Sequence, residues 1–395
     1  MKILFYDKHV KFNNPFYAIK LLNELEKDNH QIFVMVSDSH KIRGSSVLIE
    51  DLVGVNFREI YSGFNFKFIS NLDEVNTILK NFKPDLFLSD FCLTNFEWEV
   101  LKLIKSKKIR DIGMDMVSSE ILLYARNYRM PLHLIHQIKG YFERINNISD
   151  RFIGHKLVSS LGSSSLDNKP ISNIITLKGK FFQDIISMKY KISRFPVTGS
   201  IQFDQLFENW KSTEIFDKLG IDKKNPIIIM APSPMVEESI DSQFIVDTCT
   251  AVSQNGEFQL FINPHPSDRL FYPDRFNNYP GKQLSSIDFY KLLPHSKALI
   301  TPSSTVGLEA AFCNVPVLGS DIYKNLNWEF PYFKDGFNVG KRINERNIVQ
   351  TINQILENKI SFDFKPFIEH MCYKQDGQSY KRLSLIVNNY ISKIS

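Results

Sequence analysis

Residues 261–268 read FINPHPSD, an apolar run that stops at Asn-Pro-His-Pro. Proline cannot donate to a strand ladder, so Pro264 and Pro266 end the strand and hold His265 at its lip. An imidazole there can donate a hydrogen bond to an anionic oxygen or move a proton near neutral pH. A second stretch, ITPSSTVGLEAAFCNVPVLGSD, spans 300–321. Thr301-Pro302 ends another apolar run, and Ser303, Ser304 and Thr305 then open a helix. Hydroxyl residues are good N-caps. The same geometry also gathers free N–H groups, the positive end of the helix dipole and several hydroxyls where a phosphate can sit. Gly307 lets backbone or ligand approach closely. Glu309, one turn deeper, can accept from both hydroxyls of a ribose. Leu308, Ala310, Ala311 and Phe312 surround it with apolar neighbours, where an unpaired charge is costly, and this favours a ligand for it. A third run, PIIIMAPSP (226–234), leaves Ser233 at a comparable strand end.

These groups need a scaffold that brings them together. Short apolar runs alternate with amphipathic segments along the chain. KILFY (2–6), QIFVMVS (31–37) and DLFLSD (85–90) predict buried parallel strands, and the spacing over 14–29 and 71–82 predicts helices between them. The alternation restarts with PIIIMAPSP, FQLFINPHP (258–266), KALITPSS (297–304) and VPVLGSD (315–321) as strands. SSIDFYKLLPHS (285–296) and TVGLEAAFCN (305–314) are helices among them. At the seam, SRFPVTGSIQFDQL (193–206) reads as a strand with a glycine turn. A chain of 395 residues exceeds one compact core. The expected fold class is therefore α/β, with two Rossmann-like domains facing across a cleft. The first spans 1–195 and the second 196–375; a last helix, 376–395, can cross back. Doubly wound sheets bind ligands beyond the carboxyl ends of their strands, so FINPHP, APSP and TPSST can converge on one nucleotide.

Composition narrows the classes. Hydrophobic residues make up 43% and charged residues 23%, as in an ordinary globular protein. No apolar run is long enough for a membrane-spanning helix, and MKILFYDKHVKF turns polar too soon for a signal peptide. The four cysteines show no metal spacing and fit a reducing cytoplasm. A net charge of +5 permits anionic partners without demanding them. Basic residues lack the aromatic-interleaved stripe of a nucleic-acid binder, so none is expected as a partner. Residues 121–157 read as helical with a break near Pro131. Arg126, Arg129, Lys139, Arg144, Arg151 and Lys156 there outnumber Glu143 and Asp150. That is either a solvated helix face or a surface for an anionic acceptor or membrane.

Chemistry at such a cleft also needs a general base on its opposite side. Asp7, His9, Asp90, Asp115 and Glu120 stand near strand ends of the first half. IGMD predicts a strand running to Asp115, which makes Asp115 the leading candidate, with Asp90 and Glu120 behind it. No Asp-x-Asp occurs in a plausible metal loop, so no metal is expected; His and helix-dipole contacts can take its place on the phosphate.

HP, then SST about 35 residues later, then GLEA and VPV, resembles bacterial GT-B glycosyltransferases of capsule and lipopolysaccharide synthesis. The likeness is to those using CMP-activated Kdo or sialic acid. It implies that His265, Pro266, Ser303, Ser304 and Thr305 hold the CMP-sugar donor, which is a substrate, with no separate cofactor. It implies metal-independent, inverting transfer to a surface glycan or glycolipid, in the cytoplasm or peripherally at the inner face of its membrane. VTGSIQFDQL (197–206) resembles the domain-junction element of this superfamily. The acidic pair with glycine that supplies the base in CMP-sugar families is absent, so Asp115 is matched by position only. The same C-terminal signature resembles hydrolysing UDP-N-acetylglucosamine 2-epimerases and glycerophosphate transferases of teichoic acid synthesis. TPSST stands where those epimerases have a glycine-rich TDSGG-like entry. The remaining alternative is a non-catalytic nucleotide-sugar or polysaccharide-binding component.

Overall fold

The computed structural model describes residues 1–7, 16–37, 57–90, 95–114, 172–187, 192–232, 240–265, 268–269, 274–302, 304, 306–320, 331–333 and 337–392. Two six-stranded sheets, both wholly parallel, organise these residues. The first contains β1 (Lys2–Asp7), β2 (Gln31–Ser37), β3 (Asn65–Ile69), β4 (Leu86–Asp90), β5 (Arg110–Met114) and β6 (Ile174–Thr176). Their order is β3-β2-β1-β4-β5-β6. The second contains β7 (Ile227–Met230), β8 (Gln259–Ile262), β9 (Lys282–Gln283), β10 (Ala298–Ile300), β11 (Val317–Ser320) and β12 (Gly340–Ile343). Its order, β12-β11-β10-β7-β8-β9, is the same doubly wound pattern repeated.

Side chains alternate across each sheet because successive strand residues face opposite ways. In β1, Ile3 and Phe5 join one core and Leu4 and Tyr6 the other. In β7, Ile227 and Ile229 face one layer and Ile228 and Met230 the other. Helices cover both faces, which is why these strands are near-continuous apolar runs. In the first half they include α1 (Ile19–Lys27), α2 (Leu72–Phe82) and α3 (Asn95–Ser106). Asn71 caps α2 by accepting from the Glu74 N–H at 3.0 Å, and Lys83 ends it in the left-handed region.

The seam differs from its sequence reading. Only an isolated bridge forms there, Leu177 with Val197. Gly199 turns the chain at φ +82°, and residues 201–209 form α5 (Ile201–Asn209), not strand; α4 (Lys180–Ser187) precedes it. Ile201 and Phe203, both buried, serve cores of opposite halves, a demand that helical spacing meets. Beyond it lie α6 (Glu214–Leu219), α7 (Ile240–Gln254), α8 (Ser286–Leu292), α9 (Val306–Phe312), α10 (Ile348–Leu356) and α11 (Phe364–Met371). The last helix, α12 (Ser379–Ser392), returns to the first half. Its Leu383 and Val387 pack in one core with Leu21, Leu22 and Leu25 of α1. Ser384 and Asn388 both donate to Asp28 Oδ2, at 3.1 and 2.7 Å. The start of α12 is held by Asp204 of α5, whose carboxylate accepts from the N–H groups of Ser379 (3.0 Å) and Tyr380 (2.9 Å).

Candidate functional site

The three loops singled out in the second half leave adjacent strands at one level. Ile300, Met230 and Ile262 form a continuous row across β10, β7 and β8. Beyond it, the Ala231 N–H donates to the Ile300 carbonyl and the Asn263 N–H to the Met230 carbonyl, each at 2.8 Å. Thr301-Pro302, Ala231-Pro232 and Asn263-Pro264 follow. Each loop carries proline at its second residue, where the missing N–H ends the ladder. The pair β7/β10 is where the strand order reverses, the point at which doubly wound sheets bind ligands.

His265 is half-buried and held by a residue that sequence reasoning missed. Arg269 Nε donates to the Pro264 carbonyl at 3.2 Å and Nη2 to Asn263 Oδ1 at 3.1 Å; Nη2 also reaches the Leu284 carbonyl. The Arg269 backbone N–H donates to the His265 carbonyl at 3.1 Å. The signal was an arginine four residues past the histidine. Burial lowers the His265 pKa from 6.5 to about 4, and the Arg269 charge adds to the shift. Burial also brings Arg269 down to about 10, against Asp268 and Asp288, so it stays cationic at neutral pH. The site thus offers a neutral imidazole beside a fixed positive charge.

The TPSST loop is described at Thr301, Pro302 and Ser304. The Ser304 backbone is bound at both ends by Tyr332: its N–H donates to the phenol oxygen at 3.3 Å, and its carbonyl accepts from the hydroxyl at 2.8 Å. A Cβ at Gly307 would come within 2.4 Å of the Tyr332 ring. The close approach expected at Gly307 is therefore filled by that ring.

Glu309 is buried, but the premise of an unpaired charge is corrected. Its Oε1 accepts from the Tyr290 hydroxyl at 3.0 Å and from Gln202 Nε2 at 3.1 Å. These donors come from α8 and α5, far away in sequence, so the pairing could not be read locally. A role on ribose gains no support from its burial. Tyr290 and Cys313 are pushed up by their own burial first and by Glu309 next, so both stay protonated.

In the first half, β1 and β4 pair through Tyr6 and Ser89, which sets Asp7 and Asp90 next to each other where that sheet reverses order. Asp7 is fully buried and accepts from the hydroxyls of Tyr17 (3.1 Å) and Tyr61 (2.6 Å). Asp90 is the last residue of β4; its side chain lies outside the described residues, as do Asp115, Glu120, His9, Ser233, Pro266, Ser303, Thr305 and the basic segment 121–157. Among the described residues no helix is long and apolar enough to cross a membrane.

No protein-family profile and no curated protein matches the chain. Solved structures do resemble it along its whole length. A UDP-GlcNAc 2-epimerase from Neisseria meningitidis, bound to UDP-GlcNAc, superposes with a TM-score of 0.55 at 15% identity, covering 99% of this chain and 100% of that one. A UDP-GlcNAc 2-epimerase from Methanocaldococcus jannaschii gives 0.60 at 12%, covering 98% and 100%. A wall teichoic acid polymerase gives 0.62 at 11%, covering 99% and 89%. The fold is GT-B. At these identities the likeness speaks for fold alone, and in this GT-B chain the chemistry must be argued from its own residues.

Proposed function

We propose that this chain is a metal-independent glycosyltransferase that moves a sugar from a CMP-activated donor to a surface-glycan acceptor. The observation that carries this reading is that Asn263–His265, Ala231–Pro232 and Thr301–Pro302 leave three adjacent strands at one level beside the reversal of strand order. Neutral His265 donates to the donor phosphate, Arg269 contributes its charge, and the TPSST loop adds N–H and hydroxyl groups. The acceptor oxygen bonds to the anomeric carbon as the bond to phosphate breaks. Its proton passes to a first-half carboxylate and CMP departs. Asp115 is the proposed base, with Asp90 and Glu120 in reserve. The CMP choice rests on the HP and SST resemblance.

A second reading, a hydrolysing UDP-N-acetylglucosamine 2-epimerase, is favoured by the full-length fold likeness to such enzymes. One experiment separates the two. The protein is incubated with CMP-Kdo, CMP-sialic acid or UDP-GlcNAc without acceptor. Release of CMP supports the transferase, whereas UDP with a free epimerised sugar supports the epimerase and defeats the first reading. Asp115→Asn then tests the base: donor Kd should hold while transfer is lost, because the carboxylate acts only as the new bond forms. Normal transfer by that variant would move the role to Asp90 or Glu120.

A further inference from the structure

Arg269 is a half-buried cation that, among the described residues, forms no ion pair with a carboxylate. Asp268 and Asp288 support its charge only from beyond that distance, because Asp268 is bonded to Arg275 at 2.8 Å and Asp288 to Lys218 at 2.6 Å. The guanidinium engages uncharged oxygens instead: the Pro264 carbonyl, Asn263 Oδ1 and the Leu284 carbonyl. Those acceptors belong to two neighbouring strand ends. The Asn263 N–H donates to the Met230 carbonyl and the Leu284 N–H to the Ile262 carbonyl, each at 2.8 Å, so Asn263 continues β8 and Leu284 continues β9. The backbone N–H of Arg269 then closes on the His265 carbonyl at 3.1 Å. His265 is thereby held on both sides, through Pro264 before it and through its own carbonyl. A guanidinium drawn out of water carries a desolvation cost that an apolar side chain avoids, so packing alone does not account for it.

We propose that Arg269 is a positioning residue for His265: its guanidinium fixes the Asn263–Pro264–His265 turn, so that the imidazole stands in one place for an anionic oxygen. The role rests on the reading that His265 meets a donor phosphate. The two contributions of Arg269 are separable. Its charge reaches the ring through space and adds to the effect of burial on His265. Its planar fork holds several acceptors in one geometry, which a lysine ammonium does not. Arg269→Lys therefore keeps the charge and removes the fork.

The test compares wild type, Arg269→Lys, His265→Ala and the double variant at neutral pH. The proton–carbon NMR signal of the His265 ring, assigned by its absence from His265→Ala, reports where the ring stands. Calorimetry gives Kd for CMP, UDP, cytidine and uridine. In Arg269→Lys the ring signal should move and broaden, and Kd for the nucleotide that wild type prefers should weaken about tenfold, the scale of one lost buried hydrogen bond. The matching nucleoside should bind as before, because it offers no anionic oxygen. In the His265→Ala background the same substitution should cost no further affinity, since Arg269 acts through the ring. A full second loss there would mean that Arg269 touches the ligand itself. An unchanged ring signal, or an equal loss for nucleotide and nucleoside, would make it a packing residue; each of these results overturns the proposal. Should Arg269→Lys fail to fold, Asn263→Ala decides, because it removes one acceptor of the fork and an unmoved His265 signal there overturns the proposal too. Wild type binding neither CMP nor UDP would overturn the donor reading and the phosphate part of the proposal, while the ring signal would still decide whether Arg269 sets the histidine.

Discussion

Burial keeps the His265 ring neutral at neutral pH, and two measurable consequences follow. Its pKa falls from 6.5 to about 4 on folding, so between those values the unfolded chain binds the extra proton. Stability from this residue is therefore complete above about pH 6.5 and is lost as pH drops toward 4, with a ceiling of about 3 kcal/mol. Melting temperature followed from pH 7 to pH 4 should fall less steeply in His265→Gln than in wild type; parallel curves would mean the ring is not desolvated. For function, His265→Ala should lower nucleotide affinity and turnover together, by about 2–4 kcal/mol of transition-state stabilisation, the range for removing one preorganised donor. Unchanged kinetics would reduce His265 to a loop residue. Prolines made the position of this histidine legible. Its latch on Arg269 was not, because no local pattern states which groups that side chain reaches.

At the scale of elements, α5 and α12 depend on one carboxylate. Asp204 satisfies the first two N–H groups of α12, and burial raises its pKa despite those bonds and the nearby Arg382. Asp204→Ala should cost about 1–2 kcal/mol in urea unfolding, the usual effect of losing a helix cap. Asp204→Asn should lose less, since an acceptor oxygen remains and the buried charge is gone. Equal losses would show that charge, not hydrogen bonding, holds the helix. The same aspartate lies in SRFPVTGSIQFDQL, which reads in sequence as a strand with a glycine turn. Buried contacts to both halves made it a helix, a tertiary override of local propensity.

Across the whole molecule, α12 couples the halves while the proposed donor loops lie in the second. Leu383→Ala removes a side chain shared with Leu21, Leu22 and Leu25, and should destabilise by about 2–4 kcal/mol. Nucleotide Kd should not move, because β7, β8 and β10 take no support from that core. A weakened Kd in the folded variant would show that the α12 contact is transmitted to the second sheet. Arg382 of α12, which donates to the Thr198 carbonyl at 2.6 Å and pairs with Asp376, ties this helix to the seam as well.

The sequence by itself determined that strands and helices alternate twice, that apolar runs stop at prolines, and that His265 and Thr301 stand just past strand ends. Those are local consequences of burial and of a missing N–H. Several short strands, β3, β6, β9 and β12, escaped it, since runs of two to five residues with polar neighbours carry little periodicity. Only the tertiary structure decided which strands are neighbours, and with that which loops meet. It placed Ile300, Met230 and Ile262 in one row, paired Glu309 with Tyr290 and Gln202, and set Tyr332 against Gly307. Each of these contacts joins segments far apart along the chain. Their energy comes from packing and desolvation at a meeting point, a property of the folded chain that no single segment contains.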